Sequence, residues 1–142
     1  MKNFLFVFGL FFIFLISNNL FAQDQEKTKV QSSLTHLLDL CKEREYKKAS
    51  EYFVYVGYDQ TRNRKETYNY DIPAEKKKVK RMCNKIHSLL LISERFSLDE
   101  YYFDNDKYEY SQTVLFLNEG QPLTTKFIFI KINDEFLLID ID

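Results

Sequence analysis

The hydrophobic period of this chain changes once. Up to Leu91 apolar residues recur at helical spacing, and from Phe96 onward they fall mainly on alternate residues. A 3.6-residue pattern does not sit as a strand, nor a two-residue pattern as a helix, so the switch divides the fold. Val30, Leu34, Leu37, Leu38 and Cys41 share one helical face, which predicts a first helix from about Lys27 to Arg44. Tyr46, Ala49, Tyr52, Phe53 and Val56 predict a second from about Tyr46 to Val56, with Gly57 as its left-handed cap. Val79, Met82, Cys83, Ile86, Leu89 and Leu90 predict a third from Pro73 to Leu91. Asp71 suits its N-cap, Pro73 is tolerated in the first turn, and Glu75 complements the helix dipole.

Four β-rich runs follow: "RFSLDEYYF", "KYEYSQTVLFL", "LTTKFIFIKI" and "EFLLIDI". The turn cluster "NEGQP" separates the middle pair, and Asn133-Asp134 marks a tight hairpin between the last two. Helices followed by strands argue an α+β fold, three N-terminal helices packed on a curved four-stranded antiparallel meander. In the third run Phe127 and Phe129 point one way, Ile128 and Ile130 the other. A sheet with one solvated face alternates more cleanly. The second face is therefore expected to pack on a helix or another subunit, which makes a homodimer through the outer sheet face one expectation.

Part of the apolar content lies outside the fold. Residues 1–22 read MKNFLFVFGLFFIFLISNNLFA: a basic start at Lys2, an apolar run from Phe4 to Ile16, and a small residue at Ala22. That pattern reads as a secretory signal peptide, short for a membrane span of about 20 apolar residues, with an uncleaved anchor as the alternative. Residues 23–142 are then a single exported domain, periplasmic or extracellular, with no membrane attachment after cleavage. Its removal takes away one lysine and no acid, leaving 19 basic and 21 acidic side chains in the mature chain. Such a balance gives no field for nucleic acid. Export implies an oxidising compartment, and Cys41 and Cys83, the only cysteines, lie on the apolar stripes of the first and third helices. They are expected to face one core and to form a disulfide, buried free thiols being the plainer reading.

The order helix, helix, helix, then a four-stranded meander resembles the nuclear-transport-factor-2-like, or cystatin-like, α+β cone. The closing "FIFIKINDEFLLIDID" carries the resemblance best, with "EREYKKASEYFV" resembling the short helical hairpin of that superfamily. It implies a cavity between helices and sheet and no single function, since its members include isomerases, dehydratases, transport factors and ligand binders. The isomerases use a buried Asp with Tyr donors. Here Asp99, Glu109, Asp140 and Asp142 are the strand-borne acids, and Tyr52, Tyr55, Tyr101, Tyr108 and Tyr110 the phenols, but no spacing pairs them.

His36 and His87 have no ligand-spaced partners, so no metal or other cofactor is expected. The run "AEKKKVKR" reads as a solvated helix face rather than an anion site. The remaining lead is the segment "YVGYDQTRNRKETYNYDIP", Tyr55 to Pro73. Connections between elements usually run about 4–6 residues, and longer ones are typically functional or disordered. Arg62 and Arg64 with Tyr55, Tyr58 and Tyr68 could bind an anionic or sugar-like ligand. Asp59, Glu66 and Asp71 offer internal counter-charge, and the rings could form the loop's own small core. The expected function is non-catalytic binding of a small ligand or protein partner. The alternatives are an isomerase or dehydratase using an Asp/Tyr pair and a dimerising domain without a pocket.

Overall fold

The computed structural model describes residues 23–142. The expected signal peptide, residues 1–22, lies outside them. Helix α1 covers 23–42, α2 is Tyr46–Ala49, and α3 is Pro73–Leu91. Strands β1 (Arg95–Asp104), β2 (Glu109–Leu117), β3 (Leu123–Ile132) and β4 (Glu135–Ile141) form one antiparallel sheet in the order β1-β2-β3-β4. The fold is α+β, as the period switch predicts.

The α1 stripe of Val30, Leu34, Leu37, Leu38 and Cys41 is fully buried. It meets Val79, Cys83 and Ile86 of α3 and the inward residues Val114, Phe116, Phe127, Phe129, Phe136 and Leu138 of the sheet. Gln112 is the one fully buried polar residue of that inward row. Its amide donates to Glu100 O at 3.3 Å and Thr113 O at 2.9 Å, and its Oε1 accepts from Gln31 Nε2 at 2.9 Å. The β1 irregularity between Leu98 and Tyr101 frees that Glu100 carbonyl from the ladder. Asn133 and Asp134, with φ of 49° and 65°, make the predicted hairpin a left-handed two-residue turn suited to the strand twist.

Three local expectations are corrected below, and a turn separates the first two helices: Arg44, at φ 59°, takes the left-handed position where glycine is usual. Glu45 N–H reaches Leu40 O at 2.9 Å and Arg44 N–H reaches Cys41 O at 3.2 Å, so the last carbonyls of α1 are satisfied. The second helix stops at Ala49, with a tight 3₁₀ turn over Ser50–Tyr52. Phe53 and Val54 then run extended beside β4, pairing with Leu138 and Thr67, because aromatic and β-branched residues take a pleated edge readily when one is offered. Gly57 therefore caps no helix and has no positive φ. Asp71 does not cap α3 either, for the N-cap is Ile72. Asp71 is exposed and faces Lys47 at 3.5 Å.

Cys41 and Cys83 share one core, but they are free thiols with Sγ atoms 2.7 Å apart, not the expected disulfide. Packing brings the sulfurs together, whereas a bridge also needs two electrons removed.

The second apolar face of the sheet has a cover from the same chain. Ile130, Leu137 and Val54 form a small cluster there, flanked by Ile132 and Ile139. Glu109 of β2 stands opposite Ile130, and Ile130 opposite Leu137. Arg64, in the loop beyond Val54, pairs with Glu109 at 2.7 Å. That reach carries the loop across the outer face of β4 and β3.

Candidate functional site

The long loop is built around Arg62. Its Nε donates to Glu66 Oε2 at 2.7 Å, its Nη1 to Glu75 Oε1 at 2.8 Å, and its Nη2 to Glu75 Oε2 at 3.2 Å and Thr67 O at 3.3 Å. The guanidinium also lies over the Tyr55 ring, 4.4 Å from its centroid. Glu75 accepts in addition from Asn69 N–H at 2.6 Å. Arg62 thus holds the Glu75 carboxyl below its ordinary range, and burial opposes that shift without cancelling it. Tyr68 is buried edge-on to Tyr55 at 5.4 Å, and its hydroxyl meets Val56 N–H and Val56 O at 3.3 Å. Asp59 turns the loop by accepting from Thr61 N–H at 3.0 Å and Thr61 Oγ1 at 2.6 Å. The Thr61 hydroxyl is the main cause of its lowered pKa.

The five expected ligand-binding residues therefore separate. Tyr55 and Arg62 belong to the loop's own core. Tyr58 is fully exposed. Arg64 and Tyr68 line a groove of about 550 Å³ where the loop, α3 and the end of β4 meet.

That groove has a cationic wall and an aliphatic floor. Lys78, Arg81 and Lys85 come from α3, at positions i, i+3 and i+7, which the helical period puts on one side. Ile128 and Ile139 supply the floor, with Met82, Val56 and the inward residues Leu138 and Ile141 at its margins. Glu109 and Asp140 are the carboxylates present. Lys85 Nζ donates to Ile141 O at 2.7 Å, and Ile141 N–H donates to Asp140 Oδ1 at 2.9 Å. The outward backbone groups of Ile141 are thus both taken by side chains. Reading "AEKKKVKR" as a solvated face missed these α3 residues; their three- and seven-residue spacing was the available signal.

The inward face of the sheet has different chemistry. Tyr101 keeps its proton up to about 12, first because it is buried and second because Glu26 lies near. Tyr110, 3.4 Å from Glu26, is raised for the same reasons. Among the strand-borne acids, Asp99, Asp140 and Asp142 are exposed and Glu109 is held by Arg64, so none stands beside these phenols as a buried base. His36 is exposed with its ring 5.2 Å from that of Tyr52, and His87 Nε2 lies 3.3 Å from Arg44 Nη2. Among the described residues no group of three or more His, Cys, Asp or Glu could hold a metal ion, and no helix is long and apolar enough to cross a membrane. Comparison of the chain with protein-family models, with curated proteins and with solved structures finds no match.

Proposed function

We propose that this chain is an exported, non-catalytic domain of the nuclear-transport-factor-2-like kind, and that it binds a small ligand in the groove between α3 and β4. The α+β order with helices on a four-stranded meander supports the family, and residues 1–22 support export. The observation that carries the binding reading is the groove itself, about 550 Å³ with an aliphatic floor beside a cationic wall. Small-molecule sites commonly span ~300–1,000 Å³ and combine an apolar lining with a few placed polar groups. The isomerase reading has less support, since the buried phenols face no buried Asp. A homodimer through the outer sheet face is likewise less favoured, because the loop already covers the Ile130–Leu137 stretch of it.

Native mass spectrometry of the exported protein tests the reading. The polypeptide should begin at Gln23 and carry a non-covalent adduct that denaturation releases. Replacing Ile139 with Trp should fill the groove and abolish the adduct, with the circular dichroism of the fold unchanged. An adduct retained in full by a folded Ile139→Trp variant would place the ligand elsewhere.

A further inference from the structure

The cations of the groove are not equally available. Arg64 is committed to Glu109 at 2.7 Å, and Lys85 to the Ile141 carbonyl at 2.7 Å. Lys78 and Arg81 have no carboxylate partner among the described residues. One helical turn apart, they face the same opening. Glu109 and Asp140 line the same space, so a ligand with several negative charges would meet repulsion as well as attraction.

The rest of the lining narrows the chemistry further. The floor is branched aliphatic, and Tyr68, the one ring among the described residues lining the groove, already uses its hydroxyl on Val56. Stacking on a sugar or a base calls for aromatic faces, which this floor does not offer. An extended peptide would need the free edge of β4. That edge is occupied by Val54, whose N–H bonds Leu138 O at 2.8 Å, and by Lys85 and Asp140 at Ile141. Such side-chain capping is how sheets prevent edge pairing.

Resting on the groove reading above, we infer that the ligand is a free, single-chain anionic amphiphile. One anionic head, such as a carboxylate, pairs with Lys78 and Arg81, and an aliphatic body lies over Ile128 and Ile139. The head keeps its charge in half-open surroundings, while the body leaves water.

The test uses the mature, delipidated chain and three probes below their aggregation limits: dodecanoate, dodecanol and acetate. Amide shifts map the site and calorimetry gives the affinity. Dodecanoate should bind once and shift Ile128, Ile139 and Arg81, with dodecanol and acetate at least tenfold weaker. Replacing Lys78 and Arg81 together with Gln should weaken dodecanoate about tenfold and leave dodecanol unchanged, as expected for two partly exposed charge contacts. Dodecanol binding as tightly as dodecanoate would overturn the anionic head and leave the groove reading standing. Acetate binding as tightly would overturn the aliphatic body in the same way. If no probe moves the groove amides, the groove reading falls with the inference. Sedimentation with phosphatidylglycerol vesicles in the absence of dodecanoate binding would overturn a free ligand in favour of a membrane surface.

Discussion

Arg62 and Glu75 form a two-point pair, Nη1 to Oε1 at 2.8 Å and Nη2 to Oε2 at 3.2 Å, and it pins the long loop to the first turn of α3. Both side chains are largely withdrawn from solvent, at 21% and 10% exposure. The same carboxylate holds Asn69 N–H, so one residue of α3 fixes the loop at two places. The loop is thus shaped from within, and the groove beside it has a fixed rim.

Removing one member of this pair strands the other charge. Arg62→Ala should lower unfolding free energy by about 2–4 kcal/mol, toward the lower end of what a broken buried pair costs because some solvent remains. Arg64→Ala, at a half-exposed pair, should cost less than about 1 kcal/mol. The pH dependence follows from Glu75, whose folded pKa lies below its ordinary value of 4.5. Its contribution is complete above that value and is lost as pH falls through the depressed folded pKa. Urea unfolding between neutral and acid pH should therefore show a steeper acid loss in the parent than in Arg62→Ala. Parallel curves would mean that the pair does not pin the loop.

Gly57 is required by Tyr55 rather than by its own dihedral angles. A Cβ at Gly57 would run into the Tyr55 ring and hydroxyl. The ring cannot swing away freely, being held by Tyr68 on one side and Arg62 on the other. Gly57→Ala should cost about 1–2 kcal/mol, the usual range for overpacking. In the Tyr55→Leu background the same change should be nearly neutral, since the obstructing atoms are gone. Equal costs in both backgrounds would move the cause to the backbone.

The strands, the hairpin turn and the bounds of α3 were all legible, because each is decided by local period and by residues such as Asn133 and Pro73. Phe53 and Val54 were not. Their spacing from Tyr46 and Ala49 fits a helix, and only the carbonyl of Leu138, more than eighty residues away, makes extended pairing better. For the site, composition correctly marked the loop as rich in internal charge and rings. It did not reveal which arginine is structural, since that depends on Glu75 and Glu109 arriving from different elements. The aliphatic floor was visible as the second apolar face of the sheet, but nothing local joins it to Lys78 and Arg81.

Cys41 and Cys83 supply a redox prediction. The Cys41 thiol is pushed well up by its contact with Cys83 and by burial, so it stays protonated at neutral pH and should react slowly with thiol reagents until the protein opens. Denatured, unreduced protein should therefore show two reactive thiols, while the folded protein shows none over the same time. No free thiol in the denatured sample would show instead that thiol–disulfide exchange had joined the pair, with two electrons and two protons passed to the oxidant's disulfide.

The buried phenols set the alkaline limit. Tyr68, Tyr101 and Tyr110 all have raised pKa values, burial being the largest cause in each, and Tyr101 reaches about 12. The folded pKa exceeds the ordinary value of 10.0, so folding favours the neutral phenol. That contribution is complete below the ordinary value and is lost as pH rises through the folded one. Stability should fall between about pH 10 and 12, with part of the phenolate absorbance appearing only as the protein unfolds. Tyr101 separates this effect from simple packing, because its buried hydroxyl has no hydrogen-bond partner among the described residues. Tyr101→Phe removes an unsatisfied polar group and keeps the ring, so it should be neutral or stabilising by up to about 1 kcal/mol at pH 7. The alkaline fall should also become shallower. Destabilisation by more than about 1 kcal/mol at neutral pH would show instead that the hydroxyl is satisfied in solution.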